Sequence, residues 1–309
     1  MIIDIVKVFL PAVGAFIIGI AITPILTNFL YSHQMWKKKA GKIAMDGSEA
    51  RVFNELHKDK EINTPRMGGI IIWASSAITI VGIWILAQIF SGEILSKLDF
   101  LSRNQTWIPL STLIFGALVG LIDDYLEIKK SDGLSKTVRL TLVSIIALAC
   151  ALWFYTKLDV VSIGLPFGFG ELYLGPIFIL LFLLTAIFIY AGGVIDGIDG
   201  LSGGVFATMF ASYGGIAFYQ QQIDLAAFCA ALAGGILAFL WFNIPPARFY
   251  MTETGSMGLT ITLTVVAFMT DKLGGGYGFL VLPIIALPLV VTVFSNLIQV
   301  FLKRTFSRS

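Results

Sequence analysis

Charge is scarce in this sequence. Only 13% of its 309 residues are Asp, Glu, Lys or Arg, while 57% are hydrophobic and the mean hydropathy is +0.88. A soluble domain carries roughly 25% charged residues, so that class is excluded, and a bilayer has to serve as part of the solvent. Cysteine is nearly absent. Cys150 and Cys229 both lie inside apolar runs, which argues against a disulfide framework and leaves packing as their role. The N-terminus lacks a signal-peptide pattern. Asp4 sits where a basic region would be, and no small-residue cleavage site follows a short apolar core, so the first apolar segment is expected to remain as a spanning helix. Internal repeats, low-complexity tracts and the strict alternation of a membrane barrel strand are all missing. The net charge of +2 carries no information about nucleic acid.

What is present is a series of continuous apolar runs. A helix needs about 20 apolar residues to cross the hydrocarbon core. Nine spans are predicted: Ile5–Leu30, Gly69–Phe90, Thr106–Ile122, Val138–Thr156, Gly175–Ala191, Gly203–Tyr219, Asp224–Phe242, Ser256–Thr270 and Tyr277–Leu302. These spans put 16 of the 21 Lys and Arg on one side. The positive-inside tendency makes that side cytoplasmic and the N-terminus extracytoplasmic. The expected fold is an all-α polytopic integral membrane protein, with residues 1–309 forming one membrane domain. The stretch Val160–Leu174, β-branched and aromatic around Gly and Pro, predicts a small extracytoplasmic hairpin.

The informative residues are acids at span ends. Asp123 and Asp124 directly follow the third apolar run. Two adjacent carboxylates repel, and a helix C-terminus is electrostatically unfavourable for them; a bound cation resolves both problems, and plain solvation at the boundary is the alternative. Asp196 and Asp199, three apart among five glycines, would share one face of a helical turn, while the glycines let exposed backbone N–H groups approach phosphate. Glu253 follows the rigid Pro245-Pro246 pair and precedes Gly255-Ser256. Thr64-Pro65 reads as a helix start, with Thr as cap. His57, Lys58, Lys60 and Arg66 fall in the first cytoplasmic loop, where basic residues are expected on topological grounds alone. Arg139, a charge inside the start of a span, needs a partner. The topology brings Asp123, Asp124, Asp196, Asp199 and Glu253 to one side, where five acids on a basic, glycine-rich face could hold Mg²⁺ and a diphosphate together.

Five stretches in this order, TPRMGG (64–69), GLIDDYLEI (120–128), GLS (133–135) followed by Arg139, DGIDGLSGG (196–204) and WFNIPPA (241–247), resemble the polyprenyl-phosphate N-acetylhexosamine-1-phosphate transferases, and the first and last resemble the muramoyl branch of that family. The resemblance covers nearly the whole chain. It implies a reaction in which undecaprenyl phosphate attacks the β-phosphate of UDP-N-acetylmuramoyl-pentapeptide, with Mg²⁺ required and UMP released, at the cytoplasmic face of a bacterial plasma membrane. It also implies a pairing of two copies. By the same resemblance Asp123, Asp124 and Asp199 are catalytic, Asp123 and Glu253 hold the metal, and Lys60, Thr64, Arg139, Asp196 and Tyr250 contact substrate, Tyr250 by stacking on uracil. A phosphate monoester has a second pKa of about 6, so the lipid phosphate is largely ionised and direct attack is favoured, with the acids serving metal and geometry; a base or nucleophile role for one of the paired acids stays open. The family pattern has aspartate where this chain has Glu253, glycine at Thr252 and asparagine at Gly193. It continues with a histidine-rich loop and a tenth helix, whereas this sequence ends at Ser309. Transfer of N-acetylglucosamine-1-phosphate, and carrier binding without catalysis, stay open as readings.

Overall fold

The computed structural model describes residues 2–37, 63–90, 93–101, 105–130, 133–165, 169–273 and 278–306. Eleven helices and one hairpin are found among these residues. The long helices are α1 (Ile2–Ser32), α2 (Ile70–Ile89), α4 (Trp107–Lys130), α5 (Lys136–Lys157), α6 (Ile177–Gly192, extended to Ile195 by a 3-10 turn), α7 (Leu201–Tyr219), α8 (Ile223–Asn243), α9 (Thr252–Leu273) and α11 (Leu287–Phe306). Two short ones, α3 (Glu93–Leu98) and α10 (Leu282–Ile285), precede α4 and α11. Seven helices are long and apolar enough to cross a membrane: α1, α2 and α4 to α8. The two remaining predicted spans correspond to α9 and to α11, whose apolar stretch is Leu287–Leu302.

The arrangement follows from which helices need protection from lipid. Ile2, Phe9, Ile17 and Ile25 of α1 stay exposed, as a lipid-facing helix allows. By contrast, α9 is buried almost throughout, from Thr254 to Asp271. It is rich in threonine. Some of the threonine hydroxyls turn back onto their own helix: Thr260 donates to the Ser256 carbonyl at 2.8 Å and Thr270 to the Ala267 carbonyl at 2.8 Å. Around this central helix α4 packs along one side, α6 and α7 along others, while α1 and α2 pack on α8. An aromatic layer packs around the C-terminal half of α9, with Phe182 stacked on Phe268 at 4.7 Å and Phe268 on Phe279 at 4.7 Å.

The hairpin predicted for Val160–Leu174 forms, pairing β1 (Ser162–Gly164) antiparallel with β2 (Glu171–Tyr173). Asp271, at the end of α9, ties it down by accepting from the Gly164 N–H at 3.0 Å and the Phe279 N–H at 3.2 Å. Both cysteines are free and buried.

The seam between α4 and α9 is unusually tight. A Cβ built on Gly120 would lie 2.0 Å from the Glu253 carbonyl oxygen, and one on Gly116 2.8 Å from the Gly258 Cα. Just before α2, a Cβ on Gly69 would lie 2.3 Å from the Gly255 N. Small residues thus bring these backbones into direct contact, the usual means by which membrane helices associate closely.

Two sequence expectations change. The third span does not end at Ile122: α4 runs on to Lys130, so Asp123 and Asp124 lie two turns inside a helix, and Lys129 and Lys130 occupy the last turn where the dipole favours them. Thr64-Pro65 does not start a helix. The first residue of α2 is Ile70, with Gly69 at the cap and no side-chain capping bond. The preceding bends and turns are held by backbone pairing instead, Tyr250 N–H to the Pro65 carbonyl at 2.9 Å and Gly68 N–H to the Tyr250 carbonyl at 2.8 Å.

Candidate active site

The α4–α9 seam ends at a cluster of charge. Asp123 and Asp124 are adjacent in sequence and both buried, at 1% and 0% exposure, yet their surroundings differ. Asp124 points into the seam, and both its oxygens have partners. One oxygen accepts from the Thr254 N–H at 2.8 Å and from the hydroxyls of Thr252 and Thr254, both at 2.5 Å. The other accepts from Arg66 Nη2 at 3.2 Å. Asp123 points the other way. Its Oδ1 accepts from the Leu134 N–H at 2.6 Å, and its Oδ2 lies 3.3 Å from Arg139 Nη1.

Arg139, on the first turn of α5, finds the partner that its position demanded, and finds two. The same Nη1 lies 3.0 Å from Glu253 Oε1, so a single guanidinium nitrogen is shared by carboxylates from α4 and α9. Arg139 and Glu253 remain partly open, with side-chain exposures of 27% and 25%. Glu253 sits in the first turn of α9, where the helix N-terminus favours negative charge. Its other oxygen faces the Ser256 hydroxyl at 3.5 Å.

A second ion network backs the first. Arg66 reaches past Asp124 to Glu127 Oε2 at 2.7 Å, and Lys37 meets Glu127 Oε1 at 2.8 Å. Burial works against the Arg66 charge, but Asp124 and Glu127 beside it outweigh burial and push its pKa above the ordinary guanidinium value. The sequence reading treated Arg66 as one more loop cation and did not single out Glu127. The available signal was the spacing of Glu127 four residues after Asp123, which placed it near the acids on the same helix.

The Asp196–Asp199 stretch is not the helical turn expected. Gly193–Ile195 is a 3-10 turn, and the chain then runs as turns to Gly200, whose φ of +78° opens α7. The two acids consequently diverge. Asp196 accepts from the Thr252 N–H at 2.6 Å and the Ser202 hydroxyl at 2.8 Å, joining the cluster through Thr252. Asp199 accepts from the Ala247 N–H at 3.3 Å and so braces the loop between α8 and α9. Asn243, which the sequence reading quoted within WFNIPPA without a role of its own, completes this brace. Its amide accepts from the Gly200 N–H at 2.9 Å and donates to the Phe249 carbonyl at 2.8 Å. Tyr250 lies in the same loop, held through its backbone to Pro65 and Gly68, and Thr64 adjoins it. Lys60 and His57 lie outside the described residues.

The site therefore gathers Asp123, Asp124, Arg139 and Glu253 directly, and Asp196 at one remove. Among the described residues no three His, Cys, Asp or Glu side chains converge in a metal-holding group. The donor chemistry nonetheless suits a hard divalent cation: Asp123 and Glu253, from separate helices, already share one positive nitrogen, and Mg²⁺ is commonly held by one or two carboxylates with substrate phosphate oxygens completing its shell.

The pattern described as glycosyl transferase family 4 matches residues 106–271, more than half of the chain. Among curated proteins, the phospho-N-acetylmuramoyl-pentapeptide-transferase of Listeria innocua serovar 6a is 32% identical over 262 residues, 84% of this chain and 74% of that protein. The protein of the same name from Anoxybacillus flavithermus is 32% identical over 309 residues, 97% of this chain and 85% of its own length. That of Levilactobacillus brevis is 29% identical, covering 85% of this chain and 76% of the relative.

Proposed function

Because this chain belongs to glycosyl transferase family 4, we infer that it transfers phospho-N-acetylmuramoyl-pentapeptide from its UDP derivative to a lipid carrier in peptidoglycan synthesis. The observation that carries this reading is the meeting of Asp123, Arg139 and Glu253, from three different helices, at one partly open point. A diphosphate needs positive charge and geometry more than it needs covalent help; Arg139 is one cation at this point, and the two carboxylates that share it could hold another. The carrier is undecaprenyl phosphate. Its phosphate oxygen forms a bond to the β-phosphorus of the UDP-sugar, the bond from that phosphorus to the bridging oxygen breaks, and UMP leaves with that oxygen and the electron pair. No proton has to be removed from an already ionised nucleophile.

The residues take distinct parts. Asp123 and Glu253 are the side chains that would hold Mg²⁺, which when bound would offset charge on the diphosphate. Arg139, which lies between these two carboxylates, contacts phosphate. Asp124, with both carboxylate oxygens engaged, fixes the frame rather than meeting substrate. Asp196, Asp199, Tyr250, Thr64 and Lys60 serve the nucleotide end, with Tyr250 offering a ring to uracil. The protein resides in a bacterial plasma membrane with this site facing the cytoplasm, and two copies pair there.

The test is UMP release by the purified protein in detergent with undecaprenyl phosphate, comparing UDP-N-acetylmuramoyl-pentapeptide with UDP-N-acetylglucosamine, with Mg²⁺ and with EDTA. Mg²⁺-dependent turnover of the muramoyl substrate is expected. Turnover of the N-acetylglucosamine substrate alone, or of neither, overturns the reading.

A further inference from the structure

Thr252 opens α9 in a conformation that its side chain resists. Its φ is +55°, the left-handed region that a β-branched residue seldom enters. The residue is 7% exposed and each of its polar groups is engaged with a different element. The backbone N–H donates to Asp196 Oδ2 at 2.6 Å. The hydroxyl donates to Asp124 Oδ2 at 2.5 Å, and its oxygen accepts from the Met67 N–H at 3.2 Å. Glu253, the next residue, is delivered by that backbone turn to Arg139. A strained buried residue persists only where its surroundings over-determine it, and here the three bonds do so. Glycine would adopt this φ freely but would supply no hydroxyl.

We propose that Thr252 is a positioning residue for the transfer reaction. Its hydroxyl locks Asp124 and its N–H locks Asp196, so the turn that presents Glu253 is set relative to Asp123 on α4 and to the loop after α6. The two acidic motifs, 72 positions apart by number from Asp124 to Asp196, are joined through this one residue. The inference rests on the transfer function proposed above.

The experiment compares Thr252→Ser, Thr252→Gly and Thr252→Ala in the full chain, measuring kcat, KM for the UDP-sugar and the midpoint of thermal unfolding. Ser keeps the hydroxyl, so its kcat is expected within about threefold of the parent, whereas Gly and Ala lower kcat by about tenfold or more because small displacements of reacting groups are costly. KM is expected to change little. The Gly variant, freed of backbone strain, should unfold closer to the parent than the Ala variant does. Should Gly fail to fold, the Ser–Ala pair decides the question alone. Equal kcat in Ser and Ala, or a fall in kcat that tracks the unfolding midpoint and vanishes at low temperature, overturns the proposal. A second readout needs no substrate: a double-mutant cycle of Thr252→Ala with Asp124→Asn on the unfolding midpoint should be non-additive, and additivity overturns the proposed link. If the parent transfers nothing while the cycle is non-additive, the transfer function fails and the link to Asp124 stands.

Discussion

Asp123 and Asp124 differ by one position in sequence and should differ sharply in what they do when neutralised. Asp124→Asn keeps the shape of the side chain. Its carbonyl oxygen can still accept from Thr252 and Thr254, but the amide nitrogen then faces Arg66 Nη2, where the carboxylate oxygen stood at 3.2 Å. A donor meets a donor at a fully buried position, and a charged partner loses part of its compensation. Removing one partner of a buried ion pair costs about 3–5 kcal/mol; because Glu127 still neutralises Arg66 at 2.7 Å, the loss here should be about 2–3 kcal/mol. Asp123→Asn has an easier escape. Its oxygen can keep the Leu134 N–H, and Arg139, partly exposed, can lean on Glu253 at 3.0 Å, so the cost should be about 1 kcal/mol or less. Activity should run the other way: Asp123→Asn removes a carboxylate from the proposed metal position and should lower kcat by about 100-fold or more, whatever its stability. Unfolding of the two variants in the same detergent, by denaturant or heat, measures the first contrast, and UMP release at a temperature where both are folded measures the second. Equal stability loss in the pair, or a larger loss for Asp123→Asn, would refute the assignment of Asp124 to the frame and Asp123 to the open site.

Further outcomes follow from the same geometry. Glu253→Gln should reduce Mg²⁺-dependent UMP release by about 100-fold or more, and unchanged turnover would remove Glu253 from the metal role. Gly120→Ala pushes a methyl group against the Glu253 carbonyl at 2.0 Å; backbone cannot yield cheaply, so a loss of about 3 kcal/mol is expected in an unfolding titration. The comparison Gly215→Ala, where nothing lies within 4 Å, should be neutral or mildly stabilising. Glu127→Gln breaks both the Lys37 and Arg66 contacts and should cost about 1–2 kcal/mol, seen as a lower unfolding midpoint that added salt recovers little, because the pair is largely sheltered.

Continuous apolar runs made the spanning helices readable, and the Gly-Pro turns made the hairpin readable. The end of α4 was not, because Asp123 and Asp124 look like a boundary until they have partners, and those partners, Thr252 and Thr254, lie about 130 positions away. The same distance hid the difference between the two acids. Local sequence gives them one environment, and only the packing of α9 gives them two. Asp196 and Asp199 failed in another way. Helical spacing suggested a shared face, but the glycines around them favour turns, and Gly200 at positive φ ends any helical continuation. That α9 would be buried was also unreadable, since Thr260, Thr264 and Thr270 turn back onto its own carbonyls and mark no partner in advance.

Gly116, Gly120 and Gly258 along the seam, with Gly69 beside it, also restrict how this protein can diversify. At each, an added methyl would strike main chain within 3.0 Å, so no compensating trim of a neighbouring side chain can make room. The seam can be inherited intact or lost, with few intermediate steps. Drift in substrate preference is therefore easiest in the loops around it, the stretches at 63–67, 196–200 and 244–251, at positions other than Arg66, Asp196 and Asp199, which hold the charged floor and its braces in place.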